Sequence, residues 1–380
     1  MKRFRSKKET FDFFEEQIAR AYHKLYEDKK LEYESYLLKS YLLEINISDL
    51  LEEERYQRYQ IIKTLFSPFL KNKTIGLEVN EIEPDFFELV YKDLNISIYV
   101  EWISQRFLFL YTLSNSQKVD SLLHKIVFNQ PRIDRFWFWD EFLDSQITKC
   151  NRFFKGFSFD YDYRPIIGRQ DEEVLSYLKM QIWGGGKELN EIYARLRELL
   201  SKMAILGKVR FKEFGDNENE FIISDVKFTG KVKSYGTNVG LHRKILVDLK
   251  QQYEGKLTQI DKYRFRWNSQ NLMEGQPLYF VFTEPLSEEI LLRFLEKTFN
   301  GSMPFRLLGI VSQMDKYEYI AHVVDLHVGE KFILQIFPDM VLAYLSEEVC
   351  TNTILRLYTN LQHTLKMEVK LENDSEEKIL

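Results

Sequence analysis

The segment His322-Val-Val-Asp325-Leu-His327 carries two imidazoles and a carboxylate, which are side chains that bind transition metals. Residues two apart on a β-strand share a face, so Asp325 and His327 point one way and His322 points the other. Two ligands on one face are too few for a metal centre. We therefore expect His322 and His327 to lie on opposite sides of one strand, and we predict no metal and no cofactor.

Two glycine-rich stretches have the composition of phosphate-binding loops but not their spacing. A P-loop places Lys and Ser or Thr after its second glycine and follows a strand. Gly184-Gly-Gly-Lys187 is followed by Glu188 and comes after a predicted helix, so we interpret it as a helix end and hinge. Residues 236–244 also match neither the P-loop nor the dinucleotide fingerprint, although they open a basic helix.

Carboxylates and nucleophiles make a weak case for catalysis. Asp160 and Asp162 would share a face of an extended chain, and Asp225 lies on a predicted strand. These acids support a divalent-metal phosphodiesterase or nuclease as an alternative hypothesis. There is no Gly-x-Ser-x-Gly motif, and neither Cys150 nor Cys350 has a histidine close in sequence. The sequence leaves the question of an enzyme open and favours a protein without catalytic activity.

The most polarised segment of the chain, residues 227–266, is basic and aromatic. It contains ten Lys or Arg and three Asp or Glu residues, a net charge of +7 in a chain of formal charge −5. Basic side chains bind phosphates and interleaved rings stack on bases, so the pattern is typical of nucleic-acid binding. The alternatives are a solvated lysine-rich face, paired with acidic surface elsewhere in the protein, and an acidic protein partner. The predicted contacts are Lys231, Lys233, Arg243, Lys244, Arg264 and Arg266.

Local pattern gives reasons for four of these contacts. Arg243 and Lys244 follow a predicted helix start, where free backbone amides would add to the attraction for phosphate. Arg264 and Arg266 flank Phe265 on a predicted strand, so both should project from one face.

Composition excludes several classes of protein. A length of 380 residues predicts two or three domains at about 150 residues each. Two cysteines are too few for a secreted disulfide scaffold, and no run of 18 apolar residues predicts a membrane helix. We therefore expect a cytoplasmic protein without a membrane partner. Aromatic residues make up 15% of the chain, enough for a large core and a partner surface.

Hydrophobic periodicity predicts a helical N-terminal region followed by strands. The predicted helices are 9–26, 31–43, 49–66 and 117–128, and the strands lie within 74–113. The block Phe136-Trp-Phe-Trp139 cannot direct all its rings one way, so part of it must meet a second surface. We interpret the block 136–142 as a junction between domains, and as the interface in a third hypothesis, a self-assembling structural protein.

The rest of the chain is predicted to be mixed. A connector at 156–168 leads to helices at 171–183, 188–203 and 241–253, a hairpin at 209–232 and a strand at 257–267. After a polar turn at 268–276 come strands at 278–283 and within 305–345, helices at 288–299 and 353–365, and a strand at 367–371. Arg306 is a candidate cross-strand partner for Asp325. Short connections between the late strands leave no room for crossover helices, so they should pair antiparallel.

These patterns together predict an α+β fold with a helical N-terminal region, a central mixed region and a mainly antiparallel C-terminal sheet with flanking helices. The expected domains are 1–160, 169–270 and 277–371, followed by an acidic, disordered tail at 372–380. We expect a non-catalytic binding or assembly protein, a subunit of a larger complex. Its partners would be nucleic acid, contacted through residues 227–266, another protein, or both.

Overall fold

The computed structural model describes residues 4–27, 37–47, 57–67, 76–163, 177–200, 203–217, 219–365 and 368–380. Helices and antiparallel strands in these ranges make an α+β protein, as predicted. None of the described helices is both long and apolar enough to cross a membrane.

The elements are numbered here in chain order. The helices are α1 Lys7–Glu27, α2 Arg58–Phe66, α3 Ser116–Asn129, α4 Asp140–Ile147, α5 Lys187–Leu200, α6 Val239–Asp261, α7 Glu288–Thr298 and α8 Asn352–Thr364. The strands are β1 Leu38–Ile45, β2 Leu77–Glu83, β3 Phe86–Tyr91, β4 Ile96–Trp102, β5 Phe107–Thr112, β6 Ile133–Arg135, β7 Arg152–Asp162, β8 Tyr177–Trp183, β9 Leu206–Phe214, β10 Phe221–Lys227, β11 Lys231–Gly236, β12 Arg266–Trp267, β13 Met273–Glu274, β14 Leu278–Phe282, β15 Leu307–Asp315, β16 Glu318–Asp325, β17 Lys331–Ile336, β18 Met340–Tyr344 and β19 Val369–Glu372.

The chain divides into two compact units, each made of separate segments. Unit 1 comprises Met1–Phe136, Ile147–Lys155 and Arg210–Lys250, and unit 2 comprises Trp137–Gln146, Gly156–Val209 and Gln251–Leu380. The expected division into 1–160, 169–270 and 277–371 is consecutive and differs from this one. Strand pairing between distant segments leaves no shift in composition, so the sequence carries no sign of the interleaving.

Unit 1 is built on an antiparallel sheet in the order β2-β3-β4-β5-β1-β11-β10, with β6 paired to β1. Its hydrophobic core fills the space between one sheet face and helices α2 and α3. On the other face of β1, the buried His242 of α6 contacts two serines. Its Nε2 lies 2.7 Å from Ser40 Oγ, and its Nδ1 lies 2.8 Å from Ser234 Oγ.

Strand β1 corrects the helix predicted at 31–43, of which residues 31–36 lie outside the described residues. Every residue of β1 is buried, so its apolar residues do not alternate with exposed ones. Its polar residues find distant partners: the Lys39 ammonium donates to the Leu113 carbonyl at 3.1 Å, and Glu44 pairs with Arg106 at 2.5 Å. Leucines and tyrosines spaced three or four apart then imitate a helix.

Three further predictions are wrong in their element type. The connector at 156–168 is strand through Asp162, because Phe157, Phe159 and Tyr161 are buried at a period of two. The helix at 171–183 is strand β8 from Tyr177 onward, and residues 171–176 lie outside the described residues. The strand at 257–267 is helix through Asp261. There the buried side chains recur at helical spacing: Leu249, Tyr253, Leu257 and Ile260.

Unit 2 contains a six-stranded antiparallel sheet in the order β15-β16-β17-β18-β14-β19. Four of these strands cover the run expected at 305–345, and α7 and α8 are the two predicted flanking helices, so this part of the prediction is confirmed. Side chains alternate strictly along β16: Ala321, Val323 and Asp325 are buried, whereas His322 is exposed. The sheet therefore has one closed face and one open face.

A buried ion pair attaches α8 to the closed face. The Arg356 guanidinium donates to Asp325 Oδ1, and its Nε donates to the Phe305 carbonyl at 2.7 Å. Thr353 donates its hydroxyl to Asp325 Oδ2, and the His327 amide donates to Oδ1 at 3.0 Å. Both charged side chains are fully buried. The partner of Asp325 is thus Arg356 and not Arg306, which donates instead to the Leu326 carbonyl at 3.2 Å.

The acidic tail is ordered, contrary to the prediction for 372–380. Asn373 Oδ1 accepts the amides of Ser375 and Glu377 at 3.0 and 2.8 Å, which closes a turn. The Ile379 amide then donates to the Leu371 carbonyl at 2.8 Å, and Ile379 and Leu380 are buried. Two apolar residues after the acidic run provide the burial that its composition alone does not suggest.

Replacing Arg356 with Met should lower the free energy of unfolding by about 3–5 kcal/mol, because Asp325 would be left buried without its cation. Urea titration followed by circular dichroism measures this change. The matched control is Arg293→Met on α7, whose pair with Glu289 is solvent-exposed and should contribute about 0.5 kcal/mol or less. Equal effects of the two substitutions would contradict the structural role given to the buried pair.

A second prediction concerns His242. Burial lowers its pKa to about 3, so it stays neutral in the folded protein while an unfolded His protonates near pH 6.5. Below pH 6.5 the unfolded state then binds more protons than the folded state. This group should therefore lower the free energy of unfolding by about 1.4 kcal/mol for each unit by which the pH is lowered. The difference in unfolding free energy between wild type and His242→Gln, measured from pH 7 to pH 4, isolates the effect. Parallel curves would contradict it.

Candidate functional site

The open face of the unit 2 sheet carries aliphatic side chains where an antiparallel sheet normally meets water with polar ones. Leu308 and Ile310 on β15 and Ile333 on β17 are all exposed. They lie in a groove of about 1140 Å³, which we call the open-face groove. Its floor is formed by strands β15 to β18, and its lining is almost entirely apolar. An exposed apolar concavity of this size is a candidate binding surface.

Strand register sets the order of side chains along the groove. One row crosses four strands, because Ile310 pairs with His322, His322 with Ile333, and Ile333 with Tyr344. A neighbouring row contains Leu308, Val324 and Lys331. Cross-strand neighbours on one face lie about 5 Å apart, so each row is a continuous contact surface. The groove is therefore aliphatic with two cation-forming side chains, His322 and Lys331.

Polar groups at the other end of the groove are already satisfied. The Tyr344 hydroxyl donates to Gln335 Oε1 at 2.9 Å, and the Gln335 amide donates to Glu318 Oε1 at 2.7 Å. Burial raises the pKa of Tyr344, and the charge of Glu318 acts in the same direction, so the hydroxyl remains a neutral donor. This series of hydrogen bonds orients the Tyr344 ring, and it sets up no nucleophile or general base.

A short hairpin forms one wall of the groove. The Phe265 amide donates to the Leu345 carbonyl at 2.8 Å, and the Phe265 ring stacks on Tyr344 with centroids 5.9 Å apart. From there β12 and β13 form the hairpin, and Met273 faces the groove. The segment predicted as a polar turn at 268–276 thus contains part of the wall.

Five of the six predicted nucleic-acid contacts have an acidic partner within 4 Å. The pairs are Lys231 with Asp120, Arg243 with Glu101, Lys244 with Glu213, Arg264 with Asp261, and Arg266 with Glu274. The sixth, Lys233, lies directly across the strands from Asp225. The first four of the predicted contacts belong to unit 1 and the last two to unit 2.

Lys231 is the most enclosed of these cations. It is buried, and its ammonium donates to both carboxylate oxygens of Asp120 at 2.6 Å and to the Ser116 hydroxyl at 2.7 Å. Burial lowers its pKa to about 8, although Asp120 acts in the opposite direction. Its charge is satisfied inside unit 1 and is not presented to solvent.

The start of α6 differs from the expected phosphate site near Arg243 and Lys244. The Glu15 carboxylate accepts the Val239 amide at 2.9 Å, and Asn238 Oδ1 accepts the Leu241 amide at 3.0 Å. An acidic side chain of the protein itself therefore lies where a phosphate was expected. Arg243 holds Glu101 at 2.7 Å, while Lys244 remains 69% exposed.

Arg264 and Arg266 do not share a strand face, because only Arg266 lies on a strand. Arg264 follows the end of α6, where it pairs with Asp261 and donates to the Glu347 carbonyl at 2.7 Å. Arg266 is 58% exposed and lies 3.8 Å from Glu274, its cross-strand neighbour.

The other candidate motifs also take definite places. His322 is exposed in the groove, but His327 follows the end of β16 and is buried, so the two do not lie on one strand. Gly184–Gly186 follow strand β8 and not a helix, and the space beside Gly186 is taken by the Glu188 carboxylate. The rings of the aromatic block, Phe136, Trp137, Phe138, Trp139 and Phe142, are all buried.

The acids of the phosphodiesterase hypothesis belong to different surroundings. In unit 1 both carboxylate oxygens of Asp225 accept bonds from the Arg210 guanidinium. In unit 2, Asp160 and Asp162 share a face of β7, as predicted, and lie across from Lys179 and Tyr177. The structure provides no cluster of these three acids within either unit.

Sequence reasoning did not identify the open-face groove, although a signal was present. Leu307-Leu308 and Phe332-Ile333-Leu334 place apolar residues on both faces of their strands. In an antiparallel sheet, strands that are apolar on both faces need a second covering layer. The predicted order of elements contains too few helices to supply a covering layer on each face of the sheet.

The whole chain, residues 1–380, matches the family model described as MJECL33-like protein. The chain belongs to this family. A relative from Methanocaldococcus jannaschii, described as uncharacterized protein MJECL33, is 25% identical over 401 residues, which cover 96% of this chain and 93% of the relative. No solved structure matches this MJECL33-like chain.

Replacing Lys231 with Ala should lower the free energy of unfolding by about 1–2 kcal/mol, because Asp120 and Ser116 lose a buried hydrogen-bonding partner. Arg266→Ala removes the same charge from an exposed position and should change stability by about 0.5 kcal/mol or less. Urea denaturation of both variants checks this difference. A Lys231 variant as stable as the Arg266 variant would contradict the enclosed position of Lys231.

Proposed function

We propose that this MJECL33-like protein is a non-catalytic binding protein, a subunit that holds an amphipathic helix of a partner protein in its open-face groove. The observation that carries the proposal is the exposed aliphatic group Leu308, Ile310 and Ile333, with the half-buried Tyr344 at the end of their row, on a sheet whose opposite face is closed by α8. Burying such surface is the main source of affinity in protein association.

The backbone of the groove floor favours a helix as the occupant. Strands β16 and β17 are each paired on both sides, so their peptide groups are used within the sheet. A chain seated on them receives no backbone hydrogen bonds and has to satisfy its own, as a helix does. The distance from β15 to β18 is three strand spacings, about 14 Å, and a helix with side chains is about 10 Å wide.

Charge favours an acidic flank on that helix. Lys331 is exposed at the end of the row formed with Leu308 and Val324, and His322 lies in the adjacent row. At the opposite end Glu318 is engaged by Gln335. A carboxylate beside the aliphatic face of the partner would meet Lys331 and fix the orientation of the helix.

Nucleic acid is the less favoured partner, because five of the ten Lys and Arg residues in the basic segment 227–266 are paired with acidic side chains of the same protein. The cytoplasmic location that we propose is supported by the low cysteine count alone.

A peptide-display selection tests the proposal. Random peptides of about 16 residues, roughly four helical turns, are selected on the wild-type protein, and the affinities of enriched peptides are measured by fluorescence anisotropy. We expect apolar residues at helical spacing with acidic flanks. Ile333→Asp should weaken binding tenfold or more, about 1.4 kcal/mol, because it places a charge in the apolar groove.

The matched control is Ile192→Asp on α5, since Ile192 and Ile333 are 42% and 39% exposed. It should leave the affinity within about twofold. Enrichment of peptides with a period of two, or equal binding to both variants, would contradict the helix. Acyl chains that stay bound in native mass spectrometry would show instead that the groove holds a small apolar ligand. Binding of single- or double-stranded DNA or RNA with an affinity that falls steeply as salt concentration rises would instead support nucleic-acid binding by residues 227–266.

A further inference from the structure

The outer edge of the unit 2 sheet is open over a short, defined stretch. Strand β15 is the terminal strand of this sheet in the described residues. The Gly309 amide donates to the Phe299 carbonyl, and the Gly301 amide donates to the Leu307 carbonyl, so both Leu307 and Gly309 use the edge facing away from β16. Alternation places the peptide groups of Val311 and Gln313 at that same outer edge.

Nothing in the described residues covers this stretch. A groove of about 440 Å³ borders it, lined by Leu292 and Phe299 on the helix side and by Val311 and Gln313 on the strand side. Natural sheets often protect exposed edges with lysine or proline, and Val311-Ser-Gln313 contains neither. A bulge after Gln313 ends the regular register, so the open stretch is three residues long.

We infer that β15 pairs antiparallel with β15 of a second copy of this chain, about a two-fold axis at Ser312. In that register Val311 of each copy faces Gln313 of the other, and the two outward peptide edges form four backbone hydrogen bonds. Ser312 of one copy faces Ser312 of the other. Because the serine side chain is small, the two strands can approach without a clash. No other register centred in the open stretch uses all of its outward peptide groups.

The side chains beside the axis fit the same partner. Ile310 and Met314 lie two residues before and after Ser312, and they are 76% and 61% exposed. The two-fold axis brings Ile310 of one copy near the end of the other copy's open stretch, where Met314 follows Gln313 at the bulge. A surface whose apolar groups are placed symmetrically about a small central residue is complementary to itself, as an isologous contact requires.

Proline and cysteine substitutions test the pairing. We expect wild type at high micromolar concentration to have twice the 45.8 kDa mass of one chain in sedimentation equilibrium. Val311→Pro should be monomeric, because it removes an outward N–H and leaves the β15–β16 ladder intact. Val311→Thr keeps the N–H and should remain dimeric. A monomeric wild type, or a Val311→Pro protein that folds and stays dimeric, would overturn the inference.

A symmetric disulfide keeps the test valid if Val311→Pro fails to fold. Residues facing each other at a non-hydrogen-bonded pair have Cα atoms about 4.5 Å apart, within the range of a disulfide. Ser312→Cys should form a covalent dimer under mild oxidation roughly tenfold faster than Ser121→Cys, which alters another exposed serine, on α3. Wild type, with Cys150 and Cys350, gives the background. Equal rates for the two cysteine variants would overturn the pairing.

Discussion

The buried ion pair between Asp325 and Arg356 determines which face of the unit 2 sheet is closed. Because it attaches α8 beside the end of β16, the side chains that alternate with Asp325 are directed away from the helix. Two charges in a core are tolerated only when each has its full set of partners, and here Phe305, Thr353 and the His327 amide complete that set. The position of the groove follows from this constraint.

Cations of the basic segment 227–266 take part in internal ion pairs. A segment of net charge +7 stands out in the sequence, yet Lys231 contacts Asp120 and Arg243 contacts Glu101, an acid more than a hundred residues away. Such pairs join segments that are distant in the chain, so they act as connections within unit 1. The chemically unusual surface is instead an aliphatic one, on which His322 and Lys331 are the cation-forming groups.

The sequence predicted elements well where apolar and polar residues recur at one clear period. α7 and β16 alternate between apolar and polar residues at their own periods, and both were predicted. β1 is buried on both sides, so its leucines carry no strand period and it was predicted as a helix. The groove was missed for a related reason: the apolar residues of β15 and β17 indicated burial, but nothing local shows that one of their faces has no layer over it.

The interleaved segments of the two units bear on how such a protein can evolve. The chain crosses between the units five times, and one crossing lies inside the continuous helix α6. No single cut in the gene yields either unit as an intact stretch. Recombination, which exchanges contiguous stretches, therefore has no boundary at which to add, lose or swap one unit. The pair must be inherited together, and each unit can diverge only by point substitution and by changes in its loops.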